Sequence, residues 1–386
     1  METNEDRITI PYGHQWIDEN DISAVADVLC SDWLTTGPKV AEFESAFADY
    51  TGAKEAIAVS NGTAALHAAM YAAGIEPEDE VIVSPMTFAA TANSVVFQGG
   101  IPVFTDVDSK TLLIDPAQVE AKITPSTKAI IAVDYTGHPC DYDTLQDIAT
   151  RHDLILIADA CHALGAKYKD RNVGTLADLS TFSFHPAKHI STGEGGMITT
   201  DNPDFARRMR IFRNHGITTD HHQREKEGSW CYEMVDLGFN YRLTDIQCAL
   251  GISQLKKLPR FLERRHEIAG HYDSAFTEFP EIAPLDVKQD TLHAYHLYVV
   301  KIDFEALGID RTELFMKLRE KGIGVNVHYI PVHLHPYYRQ KFHTGPGLCP
   351  VAERAYEQIL SLPMFPGMTD DDVNRVITTI TKFINK

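Results

Sequence analysis

Residues 154–162 have the sequence LILIADACH, in which an uninterrupted apolar run ends at Asp159. A short run of this kind, rich in branched side chains, is typical of a strand covered on both faces of a parallel sheet. Comparable runs and helical patterns alternate before and after it: Ala56–Val59, Ala64–Ala73, Val81–Val83, Ile130–Val133, Tyr142–His152 and Thr181–Phe184. The alternation predicts an α/β fold with a large, mostly parallel sheet and right-handed crossovers.

The chain changes character after about Leu243, where longer helical patterns begin. Residues Asp245–Phe276 form a helical pattern that Pro259 should kink or break. Strand and helix patterns follow at His296–Ile302, Arg311–Lys321, Val325–Tyr329, Val351–Leu360 and Asp371–Ile384. This order predicts a smaller α+β domain with an antiparallel sheet. Residues 1–250 would then form an N-terminal arm and the large domain, and residues 251–386 the small one.

The composition limits the partners of the chain. Its 386 residues are 44% hydrophobic and carry a formal net charge of −19. So acidic a chain is poorly suited to binding nucleic acid, and no apolar run approaches the roughly 18 residues of a membrane helix. The six cysteines lie far apart and form no C-x-x-C pair. We therefore expect a soluble protein of the reducing cytoplasm, without disulfides.

The turn at residues 59–63, VSNGT, follows a predicted strand and opens a helix at Ala64. Free N–H groups at a helix start and the positive end of the helix dipole attract anions, and Thr63 adds a hydroxyl. One interpretation is therefore a phosphate site at Gly62, Thr63 and Ala64. The other is an ordinary turn with Asn-Gly chemistry.

Asp159 ends its apolar strand, and ligands of open α/β sheets bind beyond the carboxyl ends of strands. A carboxylate there can pair with a cationic group of a ligand. It can equally cap the next segment. His162, three residues later, is either a neighbour of that ligand or a structural histidine.

A lysine follows the predicted strand Thr181–Phe184 closely: residues 180–189 have the sequence STFSFHPAKH, and GEGG follows at 193–196. A surface position is the default for lysine. The alternative is that Lys188 forms a Schiff base, which requires an amine that is partly desolvated and nucleophilic near neutral pH.

These segments together meet the four requirements of pyridoxal 5′-phosphate (PLP). Lys188 supplies the amine, Asp159 an acid for the pyridine nitrogen, and the Gly62–Thr63 turn with Ser183 a phosphate cup. Phe88 can stack on the ring, although a core position explains it as well.

The motifs resemble those of the DegT–DnrJ sugar aminotransferases, which have the aspartate-aminotransferase-like fold of type I. The resemblance covers the chain from about Tyr12 and rests on the segments SNGTAALHA, PMTFAATANSV, DACHALGA, FSFHPAKHIST-GEGG and LGFNYRLTDIQ. LTTGPKVAEFE and VNVHYIPVHLHPYYR look most like members of the pseudaminic acid pathway. The resemblance thus implies transfer of an amino group from glutamate to C4 of a UDP-linked 4-keto-6-deoxy-N-acetylhexosamine.

The family's roles extend to residues that the pattern alone does not assign. By resemblance, Lys188 is the cofactor lysine and proton shuttle, and Asn240 reaches the cofactor phosphate of a neighbouring subunit, which implies a homodimer with shared active sites. Other matches belong to cofactor binding: Thr63, Phe88, Asp159, His162 and Ser183. Candidates for substrate binding are Arg242, His328, Tyr329 and His333.

Three rival functions conflict with particular residues. Sugar dehydratases of the family carry histidine where this chain has Lys188. A non-catalytic relative would be expected to lose Lys188 or Asp159, and a nicotinamide enzyme would need a G-x-G-x-x-G turn that is absent. A metal at His328, His333 and His335 is disfavoured because no acidic residue or cysteine completes the spacing.

Overall fold

The computed structural model describes residues 9–219 and 228–384. The strands are β1 (Glu55–Val59), β2 (Glu80–Val83), β3 (Ile101–Phe104), β4 (Thr127–Val133), β5 (Ile155–Asp159), β6 (Lys167–Tyr168), β7 (Arg171–Asn172), β8 (Leu179–Ser183), β9 (Gly196–Thr200), β10 (Ile282–Pro284), β11 (Thr291–Leu292), β12 (Tyr298–Ile302) and β13 (Ile359–Leu362). The helices are α1 (Glu19–Leu29), α2 (Pro38–Thr51), α3 (Gly62–Ala73), α4 (Ala89–Phe97), α5 (Pro116–Ala121), α6 (Tyr142–His152), α7 (Pro203–Phe212), α8 (Asp245–Leu255), α9 (Leu258–Phe276), α10 (Phe304–Leu307), α11 (Arg311–Glu320), α12 (Pro336–Lys341), α13 (Pro350–Gln358) and α14 (Asp370–Ile384).

The large sheet has the strand order β1-β9-β8-β5-β4-β2-β3. Strands β3, β2, β4, β5 and β8 pair in parallel, whereas β9 is antiparallel to both of its neighbours, β8 and β1. Strand β1 consequently points the same way as the parallel strands. All strands of this sheet except β9 therefore present their carboxyl ends at one edge. The predicted large, mostly parallel sheet is confirmed.

The central strands β4 and β5 are mainly apolar, as expected of strands covered by helices on both faces of the sheet. In β4 and β5, side chains such as Ile130, Ile131, Leu156 and Ile157 have no exposed surface. Burying one such side chain contributes about 1.5–3 kcal/mol relative to leaving it exposed. The apolar runs are thus fixed between two helical layers, and the first polar residue after each run emerges at the carboxyl edge.

A second, smaller core lies around the antiparallel sheet β10-β12-β13, which confirms the predicted α+β character of the C-terminal part. Helices α9, α11 and α14 contribute apolar residues to it, and so does Ile10 near the start of the described chain. Conversely, Ala352, Ala355 and Ile359 of the C-terminal part pack in the large core. Each part of the chain therefore contributes side chains to the core of the other: Ile10 to the small core, and residues 352–359 to the large one.

Three boundaries in the C-terminal part test the sequence prediction. The break near Pro259 is confirmed, since α8 ends at Leu255 and Pro259 lies in the first turn of α9. The predicted strand Val325–Tyr329 is wrong, because only Asn326 forms a bridge, to Ser361. The helix predicted to reach Leu360 ends at Gln358, because pairing with β12 draws the next four residues into β13.

Asp134, directly after β4, is a fully buried carboxyl that accepts hydrogen bonds from the Cys140 N–H and the Tyr142 hydroxyl, each at 2.9 Å. Its pKa is raised from 3.8 to about 7, mainly by burial and to a smaller extent by the nearby Asp159 charge, while the hydrogen bonds from Cys140 and Tyr142 oppose the shift. A raised carboxyl pKa means that the folded state binds the proton more tightly than the unfolded state. This stabilisation is complete below about pH 4 and is lost as the pH rises through about 7.

We accordingly expect the Asp134→Asn variant to lose part of the pH dependence of stability. The difference in unfolding free energy between the wild type and the variant should change between pH 4 and pH 7, with the wild type relatively more stable at the acid end. Urea unfolding of both proteins at several pH values measures this difference. A difference that stays constant across the range would contradict the assignment.

Within residues 9–219 and 228–384, no helix is long and apolar enough to cross a membrane. The six cysteines are all free thiols.

Candidate active site

A cavity of about 660 Å³ opens at the carboxyl edge of the large sheet. Its lining comes from the turns after several strands and from a loop of the C-terminal part: Gly62, Thr63, Phe88, Asp159, His162, Ser183, Lys188, His296, His328 and Tyr329. Nine of the residues singled out in the sequence thus line one space, together with His296 and others that were not. Parallel strands bring them together although they are far apart in the chain.

The Lys188 amine lies in this cavity, in the segment after β8, and the side chain is half-buried. Desolvation lowers the pKa of the amine, and the charges of Cys161 and Asp159 oppose that shift. The His296 Nε2 atom lies 3.4 Å from the Lys188 Nζ atom. A lysine that is less basic than usual and faces a cavity has the properties of a nucleophile rather than of a surface charge.

Asp159 is 6% exposed and is fixed by donors on both oxygens. The Thr91 hydroxyl donates to Oδ2 at 2.6 Å, and the Cys161 N–H donates to Oδ1 at 3.2 Å. The Thr87 and Thr91 hydroxyls lie 2.7 Å apart, and since Thr91 uses its proton on Asp159, Thr87 donates to Thr91. This relay of hydroxyl groups holds Asp159 as an acceptor, which is how an ionised carboxylate is stabilised in a buried place.

The helix α3 begins at Gly62, and Asn61 caps it by accepting from the Ala64 N–H at 2.8 Å. The N–H groups of Gly62 and Thr63 lie in the first helical turn, where no intrahelical carbonyl can reach them. A Cβ atom on Gly62 would lie 2.8 Å from the Ser183 Cβ and 3.1 Å from its hydroxyl. The absence of a side chain at Gly62 therefore brings two N–H donors and the Ser183 hydroxyl into one small polar cradle.

Three rings form one wall of the cavity. His162 lies with its Nε2 atom 3.1 Å from the Tyr329 hydroxyl, while its buried Nδ1 atom has no partner among the described residues. Burial lowers the pKa of His162 well below the usual histidine range, so the ring is neutral. Phe88 is 61% exposed, and its ring lies 6.1 Å from that of Tyr329.

His328 orients this wall through its neighbours. Its Nδ1 atom lies 2.8 Å from the Ser361 hydroxyl, and the Tyr135 hydroxyl donates to its carbonyl. The loop after Val325 is thereby tied to β13 on one side and to the large domain on the other. In place of the predicted strand Val325–Tyr329, this segment keeps one bridge to β13, at Asn326, and His328 and Tyr329 line the cavity.

This set of groups fits PLP, the cofactor that the resemblance implies. The cradle at Gly62 offers N–H and hydroxyl donors to a phosphate, Asp159 offers a fixed anion, and Lys188 offers an amine of lowered pKa. The unpartnered Nδ1 atom of His162 is a buried polar group, which is costly unless something binds to it.

Other predicted residues lie elsewhere. His333 is fully buried, its Nε2 atom is 2.8 Å from Glu353, and it does not line the cavity. Arg242 donates to the Asn214 side chain in a separate cavity of about 900 Å³. Asn240 is exposed and forms a bridge to Asn214. Ala64 lies just behind the cradle, its N–H taken by Asn61.

Sequence reasoning missed two groups that touch the predicted site residues. The sequence pattern predicts only a strand start at His296 and assigns no role to Thr91. A role for Thr91 could have been inferred from its spacing, because it lies four residues after Thr87, about one helical turn, at the start of α4. No local signal identifies His296, which reaches Lys188 from 108 positions further along the chain.

Comparison with known proteins gives consistent matches over the whole chain. The family model for the DegT/DnrJ/EryC1/StrS aminotransferases matches residues 15–381. SpsC, a spore coat polysaccharide biosynthesis protein of Bacillus subtilis, is 43% identical over 377 residues, which is 97% of each chain.

Solved structures show the same likeness in three dimensions. Spr1654 of Streptococcus pneumoniae, described as a sugar aminotransferase and known in pyridoxamine-phosphate and PLP forms, is 32% identical, with a TM-score of 0.92 over 98% of this chain and 99% of that one. PseC of Helicobacter pylori, an aminotransferase of pseudoaminic acid biosynthesis, is 33% identical, with a TM-score of 0.90 over 97% and 99%.

The resemblance seen in the sequence motifs and the type I fold are thereby confirmed. The chain belongs to the DegT/DnrJ/EryC1/StrS aminotransferase family and is a PLP-dependent sugar aminotransferase.

Proposed function

We propose that this enzyme transfers an amino group from glutamate to C4 of a UDP-linked 4-keto-6-deoxy-N-acetylhexosamine. The observation that carries the proposal is the cavity in which Lys188, Asp159 and the Gly62 cradle meet. The similarity to PseC over nearly the whole chain supports the class of sugar. The choice of glutamate and of UDP follows the motif resemblance.

In this proposal the residues of the cavity hold PLP at three points. The N–H groups of Gly62 and Thr63 and the Ser183 hydroxyl would bind its phosphate, Asp159 would pair with its ring nitrogen, and the Lys188 amine would hold it covalently. His162 and Phe88 line the cavity and would contact its ring. When bound, PLP supplies an electron sink for the electron pair of the bond broken at the amino acid's α carbon.

Lys188 has the proton-transfer role. With the donor in place, its neutral amine would remove the α-proton of the amino acid, and its ammonium form would then give that proton up again. The lowered pKa of the amine favours this exchange, since a base works best when its pKa is near the working pH. Asp159 holds positive charge at the ring nitrogen, because Thr91 and Cys161 keep it fixed as an acceptor.

The sugar nucleotide would meet the wall of rings. We propose that Tyr329 and His328 contact the sugar, since both line the cavity that holds Lys188. Arg242, in the neighbouring cavity, is proposed for the nucleotide or the donor carboxylate because its guanidinium can bind planar anions bidentately. His333 is buried behind its bond to Glu353, which favours a supporting role for it.

The proposal includes a homodimer in which Asn240 reaches the neighbouring active site. Apolar side chains just before Asn240 are unusually exposed, with Trp230 at 88%, Leu237 at 70% and Met234 at 66%. An exposed apolar patch of this kind is typical of a protein interface. A reducing cytoplasm is also proposed, and the free state of all six cysteines supports it.

The visible absorption spectrum of the purified protein tests the proposal. Addition of glutamate should convert the PLP absorption into that of pyridoxamine phosphate, and the correct keto-sugar should restore it. UDP-linked 4-keto sugars should do so faster than dTDP-linked 3-keto sugars. The reverse order would support the alternative, an aminotransferase for another nucleotide-linked keto-sugar. A protein that takes up no PLP would contradict the assignment of the cavity.

Gly62 provides a specific test of the phosphate cradle. We expect Gly62→Ala to weaken PLP binding at least about tenfold, or ~1.4 kcal/mol, because the new Cβ would lie 2.8 Å from the Ser183 Cβ. Equilibrium dialysis of PLP measures the change. Gly270→Ala is the matched control, since a Cβ there meets nothing within 4 Å. An unchanged dissociation constant for Gly62→Ala would remove the cradle from the cofactor site.

A further inference from the structure

His296 reaches the active-site cavity from the segment before β12, in the C-terminal part of the chain. Its Nε2 atom, 3.4 Å away, is the one hydrogen-bond partner of the Lys188 Nζ atom within residues 9–219 and 228–384. Asp159 does not hydrogen-bond to the amine and acts on it through its charge. Among the described residues, the His296 imidazole is therefore the one group that can hydrogen-bond to the Lys188 amine.

The position of His296 is fixed by ring packing and by its backbone, while its buried Nδ1 atom has no hydrogen-bond partner among the described residues. Its ring centroid lies 4.3 Å from that of His162 and 5.6 Å from that of His189. The fully buried Arg265 donates to the backbone carbonyls of Tyr295 and His296 through Nη1. Because the ring is 5% exposed and packed between two other imidazoles, it cannot turn away from the amine without disturbing its neighbours.

The charges around His296 favour its neutral form. Burial lowers its pKa well below the usual range, and the Lys188 charge, His162, His189 and the Arg265 cation lower it further. His162 and His189 are lowered for the same main reason, burial. A neutral imidazole has one lone pair, which can accept an N–H from an ammonium without taking its proton.

We propose that His296 is a positioning residue that solvates the ammonium form of Lys188 while that lysine carries the proton between two carbons. This inference rests on the proton-transfer role proposed for Lys188. In the first step the donor's C–H bond breaks, its electron pair stays on the substrate side, and the proton forms a new N–H bond on Lys188. In the second step that N–H bond breaks and the proton joins the other carbon.

Between the two steps an ammonium exists on the half-buried Lys188 side chain, where an incompletely solvated charge is costly. The lone pair on His296 Nε2 compensates part of that cost. A carboxylate in the same place would hold the ammonium too firmly, and a more basic imidazole would remove its proton. Neutral His296 does neither, so that the proton stays on Lys188 and remains transferable.

The test begins with the pKa of Lys188, which needs no substrate. Acylation of Lys188 by acetic anhydride in the cofactor-free, full-length protein is followed by peptide mass spectrometry across a range of pH. His296→Phe removes the acceptor, so the midpoint should fall by about one pH unit. His296→Gln places an amide near the Nε2 position and should restore most of the shift. An unchanged midpoint in His296→Phe would overturn the proposal.

The second readout is the reaction with glutamate in the PLP-loaded enzyme. His296→Phe should lower kcat about 10- to 100-fold with KM changed less than about threefold, since the contact matters only after the proton has moved. His296→Gln should recover most of kcat. Equal losses in both variants, or a loss confined to KM, would contradict the inference.

His67→Phe is the matched control for removing a buried neutral imidazole. His67 lies outside the cavity among the rings of Phe97, Phe212 and Phe239, each 5.1 Å away, and the substitution removes its contacts with the Tyr241 hydroxyl at 3.1 Å and the Gln98 amide at 2.9 Å. Neither readout should change in this variant. Failure of the proposed role of Lys188 would show separately, as activity retained by Lys188→Ala, whereas the acylation midpoint reports on His296 alone.

Discussion

Replacement of Lys188 with alanine should lower amino-group transfer by at least about 10⁴-fold, the largest loss expected of any single substitution in this chain. One amine serves as covalent anchor, as base and as acid, so its removal takes away all three functions together. Its neighbours cannot replace it. His296 and His162 both have their pKa values lowered well below the usual range by burial, and they are poor proton acceptors.

The measurement is turnover with glutamate and a keto-sugar, together with borohydride reduction of the PLP-loaded protein. Reduction should add the mass of the cofactor to the peptide that contains Lys188 in the wild type and to no peptide in Lys188→Ala. Lys128→Ala, which removes an exposed lysine of β4, is the control and should behave as the wild type. Turnover within about tenfold of wild type in Lys188→Ala would refute the assigned chemistry.

The second largest effect is expected for Asp159→Asn, which should lower kcat on the order of 10³-fold while the covalent link to Lys188 still forms. A neutral amide cannot hold positive charge at the ring nitrogen as the carboxylate does. An amide accepts hydrogen bonds on its oxygen only, because its nitrogen is a donor. Either the bond from Thr91 or the bond from Cys161 is therefore lost in this variant.

Borohydride trapping separates this variant from Lys188→Ala, because Asp159→Asn should still give the labelled Lys188 peptide. Asp147→Asn removes an exposed carboxylate that pairs with Arg151, and it should leave kcat unchanged. A kcat for Asp159→Asn close to that of the wild type would mean that Asp159 only supports the backbone of the turn. Loss of the covalent link would point instead to a collapsed cavity.

The parts of the site that the sequence predicts are those carried by strand ends. Asp159, Ser183 and the Gly62 turn each follow an apolar strand of the same sheet, and parallel strands place their carboxyl ends side by side. Lys188 follows from the same reasoning, since it lies five residues beyond Ser183. The local sequence pattern and the topology of the sheet place these residues at the same edge, so the motifs alone predict the position of the site.

The parts that the sequence does not predict come from loops and from distant pairing. His328 and His333 lie in the same Pro- and His-rich loop, yet His328 lines the cavity and His333 turns inward to Glu353. A loop has no period from which the direction of a side chain can be inferred. His296 depends on how β12 pairs with β13 and on Arg265, neither of which leaves a local signal.

The exchange of residues between the two cores has a consequence for building hybrid enzymes from relatives. A junction at the sequence-based division between residues 250 and 251 would leave Ile10 packed against foreign side chains, and would bring a foreign Ile359 into the host's large core. The backbone is joined across the same division, since the N–H groups of Thr9 and Ile10 donate to the Gly322 carbonyl. A donor fragment that keeps its fit would therefore carry both the C-terminal part and the segment around Thr9 and Ile10, although the two lie far apart in the sequence.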